Sequence, residues 1–151
     1  MDDSQRLIWD DRYLLGYKPM DDVHREFVEL VDALLSVPEA DLPEVLAAFA
    51  DHAQAHFDQE NRLMDEMDLP LVECHKDEHA KVLASVLEVQ RLNTAGDARV
   101  VRELALALKE WFPSHADQMD SALAKWAVQR ALGGVPLVFR REAWREARES
   151  T

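Results

Sequence analysis

The chain has 151 residues, a length that suits one domain, and 48% of them are apolar, enough to fill a core. The formal net charge of -13 gives a surface that repels phosphate backbones and anionic lipid, so nucleic-acid and membrane-surface roles are not expected. Only 4 Gly and 6 Pro stand in a sequence rich in Ala, Leu, Glu and Asp, a composition that favours helix over strand.

The single cysteine, Cys74, rules out an intramolecular disulfide. No apolar run approaches the roughly 20 residues that span a bilayer. The opening Met1-Asp2-Asp3-Ser4 has neither the basic nor the apolar stretch of a signal peptide. A cytoplasmic protein is the expectation.

Residues 1–18 read as an irregular N-terminal arm. Asp10, Asp11 and Gly16 interrupt any helical stripe, while Trp9, Tyr13 and Tyr17 can pack down onto a bundle. A first helix is predicted from near Pro19, a residue suited to a first turn, with Asp21 and Asp22 complementing the helix dipole. Phe27, Leu30, Val31, Leu34 and Leu35 recur at three- and four-residue steps, the mark of one buried face, and Pro38 ends it. A second helix begins around Asp41-Leu42-Pro43-Glu44 and stops before Pro70. Val45, Leu46, Phe49, Ala53, His56, Phe57, Leu63, Met64 and Met67 form its apolar side.

A third helix is predicted from Leu71 to Leu92, followed by the turn Asn93-Thr94-Ala95-Gly96-Asp97, with Asp97 as N-cap of the next. The fourth helical stretch covers Ala98 to Leu132 and is interrupted by Pro113, which must kink or break it. Gly133-Gly134-Val135-Pro136 ends it. The extension at 133–151 carries several Arg and Glu residues and can form a short helix anchored by Trp144. It is more basic than the body, so it can fold back or contact a protein partner. Long helices joined by short connections predict an all-α, up-down-up-down antiparallel four-helix bundle over 19–132.

The chemistry lies in the histidines. His24 stands alone on the first helix; His56 and Glu60 are four apart on the second, His75 and His79 four apart on the third, and His115 and Asp120 five apart on the fourth. Residues four apart stack one turn above another on the same helical face, so each four-residue pair can address one site. A five-residue step in an α-helix turns about 140° beyond a full circle. The kink expected at Pro113 helps bring His115 and Asp120 to one place.

Five neutral imidazoles and two carboxylates are too many donors for one tetrahedral zinc. They suit two metal ions spanned by the carboxylates, and nitrogen with carboxylate suits iron, although this ligand chemistry leaves manganese open. No thiolate set is present for an iron–sulfur cluster. The Glu-x-x-His pairs of ferritin-like carboxylate sites are also absent.

The order of a lone His, H-x-x-x-E, H-x-x-x-H and H-x-x-x-x-D resembles the bacterial hemerythrins. It is carried by Met20-Asp21-Asp22-Val23-His24, His56-Phe57-Asp58-Gln59-Glu60, His75-Lys76-Asp77-Glu78-His79 and His115-Ala116-Asp117-Gln118-Met119-Asp120. Trp9-Asp10 with Gly16 resembles the family's N-terminal signature, and the likeness extends over about residues 8–130. The resemblance implies a centre of two Fe ions with an oxo or hydroxo bridge. It implies that one iron takes His75, His79 and His115, the other takes His24 and His56, and Glu60 and Asp120 bridge them. Dioxygen would bind reversibly at the open position of the two-histidine iron, making the protein an oxygen carrier, store or delivery protein rather than an enzyme. The alternatives are an oxygen or redox sensor acting through a partner, an enzyme consuming peroxide or nitric oxide, and an iron store.

Phe57, Trp111, Phe112 and Ala116 are the expected lining of the oxygen pocket. Ala116 stands where the family usually has a larger residue, often Ile, which implies a more open pocket and faster autoxidation. His52 lies one turn before His56 and has no place in the family's ligand set; it is either a metal ligand or outer partner of the centre, or a polar residue near the bundle end. Cys74 points about 100° away from His75 and is expected to be packing or exposed.

Overall fold

The computed structural model describes residues 5–67 and 72–132. A short 3-10 turn at Asp11–Tyr13 belongs to the arm. It is followed by α1 (Lys18–Ser36), a second 3-10 turn (Glu39–Asp41), α2 (Leu42–Asp65), α3 (Val72–Thr94) and α4 (Arg99–His115). A π-helical turn, Ala116–Asp120, then leads without a break into α5 (Ser121–Ala131). α1 packs against α2 and α4, and α3 packs against the same two helices, which closes a four-helix bundle in which α4, the π turn and α5 form the fourth rod. The predicted extension, 133–151, with its short helix and Trp144, lies outside the described residues.

The arm is tied down by two carboxylates of α1. Asp21, in the first turn, is buried and accepts from the Leu15 and Gly16 backbone N–H groups at 2.8 and 3.1 Å. Gly16 sits at φ 89°, a left-handed conformation that suits glycine there. Asp32, three turns on, accepts from Arg6 Nε and Nη2 at 2.6 and 2.5 Å and from the Leu7 N–H at 3.1 Å. Tyr13 is thereby buried edge-on to Phe112 at 5.4 Å, with Trp9 edge-on to Tyr13 at 5.6 Å, as the sequence predicted for the arm aromatics.

Two boundaries differ from expectation. Asp97 does not cap α4; Ala98 holds that position with no side-chain hydrogen bond. Asp97 belongs instead to the end of α3. Its N–H reaches back to Leu92 O at 3.1 Å, and the Gly96 N–H reaches Asn93 O at 2.9 Å with Gly96 at φ 104°. That is a Schellman closure, which needs the residue after the glycine for its longer bond. The second difference is at Pro113, which lies inside α4 without ending it. The chain answers three residues later by widening to the π turn, where the Ser121 N–H donates to Ala116 O.

The core forms two apolar clusters separated by a polar layer. One holds Phe27, Phe49, Phe57, Val101 and Phe112 under the arm; the other holds Met20, Met64, Leu123 and Ala124 at the far end. Each fully buried side chain of this size contributes roughly 1.5–3 kcal/mol. Along three of the rods polar residues fall between these clusters: His24 between Met20 and Phe27, Glu60 between Phe57 and Met64, His115 and Asp120 between Phe112 and Leu123.

Candidate metal centre

All seven of the predicted ligands are buried, none more than 5% exposed, and the structure gathers them into one layer. The two carboxylates share out the histidines oxygen by oxygen. Glu60 Oε2 lies 2.8 Å from His56 Nε2 and 3.3 Å from His24 Nε2, whereas its Oε1 lies 3.2 Å from His79 Nε2 and 3.8 Å from His75 Nε2. Asp120 Oδ2 lies 3.2 Å from His24 Nε2, whereas its Oδ1 lies 2.8 and 3.2 Å from His75 and His115 Nε2. Each carboxylate therefore offers one oxygen to a three-histidine group and the other to a two-histidine group. By distance alone the donor atoms form two groups that share Glu60: Glu60, His75, His79, His115 and Asp120 converge within 4.8 Å, and so do His24, His56 and Glu60, while Asp120 joins the second side only through His24.

Asp120 reaches this layer because of the π turn. In an α-helix the five-residue step would swing it about 140° past His115. The i→i+5 bond of the widened turn reduces that excess, and π-bulges recur at functional sites.

The donor set fits cations better than it fits itself. His79 Nε2 and Glu60 Oε1 are 3.2 Å apart, yet neither makes an aligned hydrogen bond, and Asp120 Oδ1 makes none either. Short separations with poor angles are what results when lone pairs aim at a common point instead of at each other. His75 and His115 meet nitrogen to nitrogen at 3.2 Å. Burial and the mutual repulsion with Asp120 push the Glu60 carboxyl up, but the neighbouring histidines outweigh both and hold it low. Burial likewise raises Asp120, and His115, His24 and His75 bring it well below the usual carboxylate range. Burial pushes His24 down, while Asp120 and Glu60 lift it to about 10. Two ionised carboxylates in a dry layer require compensating positive charge, which protonated histidines such as His24 or bound cations can supply.

The predicted lining residues sit against the rings of the candidate ligands. Phe57 stacks on His79 at 4.1 Å and 10°, Trp111 stacks on His115 at 4.2 Å and 24°, and Phe112 meets His24 edge-on at 5.4 Å. Ala116 is buried on the arm side, where it borders a cavity of about 250 Å³ with Arg12, Tyr13, Leu15 and Lys125. His52 is half-buried, lies outside both donor groups, and faces Glu26 Oε2 at 3.3 Å. Cys74 is exposed. Among the described residues no helix is long and apolar enough to cross a membrane.

Two residues of the site carried no signal in the sequence. Asn61 Oδ1 accepts from His79 Nδ1 at 2.9 Å. Glu78 Oε1 accepts from His115 Nδ1 at 3.0 Å and from Trp111 Nε1 at 3.1 Å. Burial raises the Glu78 carboxyl, but the hydrogen bonds from His115 and Trp111 and the charges of His115 and His75 together outweigh it, and the net shift is downward. Each stands directly beside a candidate ligand in sequence, Asn61 after Glu60 and Glu78 before His79, but each serves an imidazole on a neighbouring helix, which adjacency does not reveal.

Comparison with known proteins agrees with this geometry. Residues 15–127 match the family described as "Hemerythrin HHE cation binding domain". A bacteriohemerythrin of Ralstonia nicotianae is 38% identical over 122 residues, which is 81% of this chain and 89% of the relative. One of Stenotrophomonas maltophilia is 29% identical over 140 residues, 85% and 91% of the two chains. One of Pseudomonas aeruginosa is 28% identical over 119 residues, 76% and 77% of the two. With a buried histidine–carboxylate layer between two apolar clusters and a family match spanning most of its length, the chain belongs to the hemerythrin HHE cation-binding family.

Proposed function

We propose that this protein binds dioxygen reversibly at a pair of iron ions and serves as an oxygen carrier, store or delivery protein. The observation that carries this reading is the division of Glu60 and Asp120, each with one oxygen on the side of His75, His79 and His115 and the other on the side of His24 and His56. His75, His79 and His115 would hold one ion, His24 and His56 the other, and the two carboxylates would span them. The iron pair, when bound, supplies two electrons and an open position on the two-histidine side. Five nitrogens and mixed carboxylate oxygens suit iron.

The protein's own part is to hold the donors still and to keep the layer dry. Phe57 and Trp111 lie flat on ligand rings, Phe112 and Phe27 wall off His24 and His56, and Tyr13 closes the arm side. This wall favours an apolar diatomic over water and limits proton access to whatever binds.

A second reading, turnover of peroxide or nitric oxide, is favoured by one feature: the cavity against Ala116 has Arg12 and Lys125 on its walls, which suits small polar molecules. The two readings separate on a simple assay. A carrier takes up oxygen in proportion to protein and stops; an enzyme consumes peroxide or nitric oxide continuously with a reductant present. Sustained turnover at many equivalents per chain would replace the first reading with the second.

A further inference from the structure

The two halves of the centre are supported unequally from outside. In the three-histidine half, His115 donates to Glu78 at 3.0 Å, and the same Glu78 oxygen holds the Trp111 indole that lies flat on the His115 ring. His79 donates to Asn61 at 2.9 Å while Phe57 stacks on its ring. In the two-histidine half, His24 Nδ1 and His56 Nδ1 are buried and have no hydrogen-bond partner among the described residues. His24 meets both Phe112 and His56 edge-on, so packing alone orients it.

This difference matters for metal affinity. An imidazole whose far N–H donates to a carboxylate is a stronger electron donor, and its ring cannot rotate away from the ion. A ring without an outer partner has neither advantage, and its buried N–H remains a cost.

We propose that Glu78 is a positioning residue that makes the His75–His79–His115 half the tight metal position, filled first and emptied last, and leaves the His24–His56 half labile. Glu78 is not among the converging donor atoms and acts through His115 and Trp111. The inference rests on the metal-pair reading and is independent of oxygen binding. Glu78 is also a safe position to alter. Its side chain is 32% exposed, at the edge of a groove of about 460 Å³ between α3 and α4, so truncation opens no core cavity.

The test is an anaerobic titration of metal-stripped protein with Co²⁺ alone, followed by visible absorption and calorimetry. The native chain is expected to fill in two resolved steps. Glu78→Ala should weaken the first step about 10–100-fold and leave the second in place, so that the steps converge. Glu78→Gln, which keeps an acceptor oxygen, should recover part of the loss, and Glu26→Ala, whose carboxylate faces His52, should change neither step. A first step unchanged in Glu78→Ala, or both steps weakened equally together with a lower thermal midpoint, would overturn the proposal. Failure of the native chain to take up cobalt at all would overturn the metal centre itself, a result distinct from an indifferent Glu78→Ala in a chain that binds two ions.

Discussion

His75 Nε2 and His115 Nε2 face each other from α3 and α4 at 3.2 Å, and the same Asp120 oxygen lies 2.8 Å from one and 3.2 Å from the other. With the His115 Nδ1–H given to Glu78, neutral rings leave at most one proton among these three atoms, so one hydrogen bond can form and the remaining lone pairs face each other. A cation at the point where the three atoms converge satisfies all of them. The same reasoning applied across the layer gives outcomes that differ from ligand to ligand.

His24 reaches only the second oxygens of Glu60 and Asp120, on the two-histidine side. His24→Ala should therefore hold about one metal ion per chain where the native protein holds two. Glu60 has an oxygen in each half, so Glu60→Ala should hold fewer than one. Elemental analysis of the purified variants checks both numbers, and equal losses in the two variants would contradict the division of the site.

Helix geometry decides how much of this was legible in the sequence. The four-residue pairs His56/Glu60 and His75/His79 point to one face by periodicity alone, and the apolar stripes place them in a bundle. The five-residue step to Asp120 was readable only as a misfit to the α-helix, because a π turn has no side-chain signature; Pro113 hinted at an irregularity but not at its kind or its place. Asp97 misled because the turn that closes α3 runs through Gly96 and Asp97 and starts α4 one residue later, a backbone register that side-chain chemistry does not show. Glu78 and Asn61 were hidden for a different reason: partners of second ring nitrogens depend on how helices face one another, not on spacing within one.

Phe27 is fully buried, stacks with Phe112 at 5.2 Å and meets Phe49 and His56 at 5.4 and 6.0 Å. Phe27→Ala should cost about 3–5 kcal/mol of folding stability, since the surrounding rings cannot all collapse into the space. Denaturant unfolding of the metal-free protein measures it; a loss under about 1 kcal/mol, less than most core deletions, would show that this cluster does not hold the bundle.

The arm should respond to acid. The Arg6 guanidinium, against a smaller opposing effect of burial, holds the Asp32 carboxyl below its ordinary value. A lowered folded-state pKa gives stabilisation that is present above the unfolded value and lost as pH falls through the folded one, so the clasp should open below about pH 3.8. Trp9 emission should report this release before the helical signal falls, and Asp32→Asn should shift the release to neutral pH. An Asp32→Asn arm as well docked as the native one would contradict the role given to the pair.

Ala116 borders the arm-side cavity and follows the ligand His115. Ala116→Ile should fill that space and slow irreversible oxidation of the reduced protein in air several-fold, as read from the decay of its absorption spectrum. An unchanged rate would mean that this cavity is not the route by which water and small anions reach the centre.

The most direct test of reversible oxygen binding is to count iron in the aerobically purified protein, reduce it, admit oxygen, and then remove the oxygen while recording the visible spectrum. Two iron ions per chain are expected, with an absorption band that appears with oxygen and disappears when it is withdrawn, over repeated cycles. Two iron ions that oxidise at once and do not return on removing oxygen would contradict reversible binding, and a protein that retains no iron would contradict the centre.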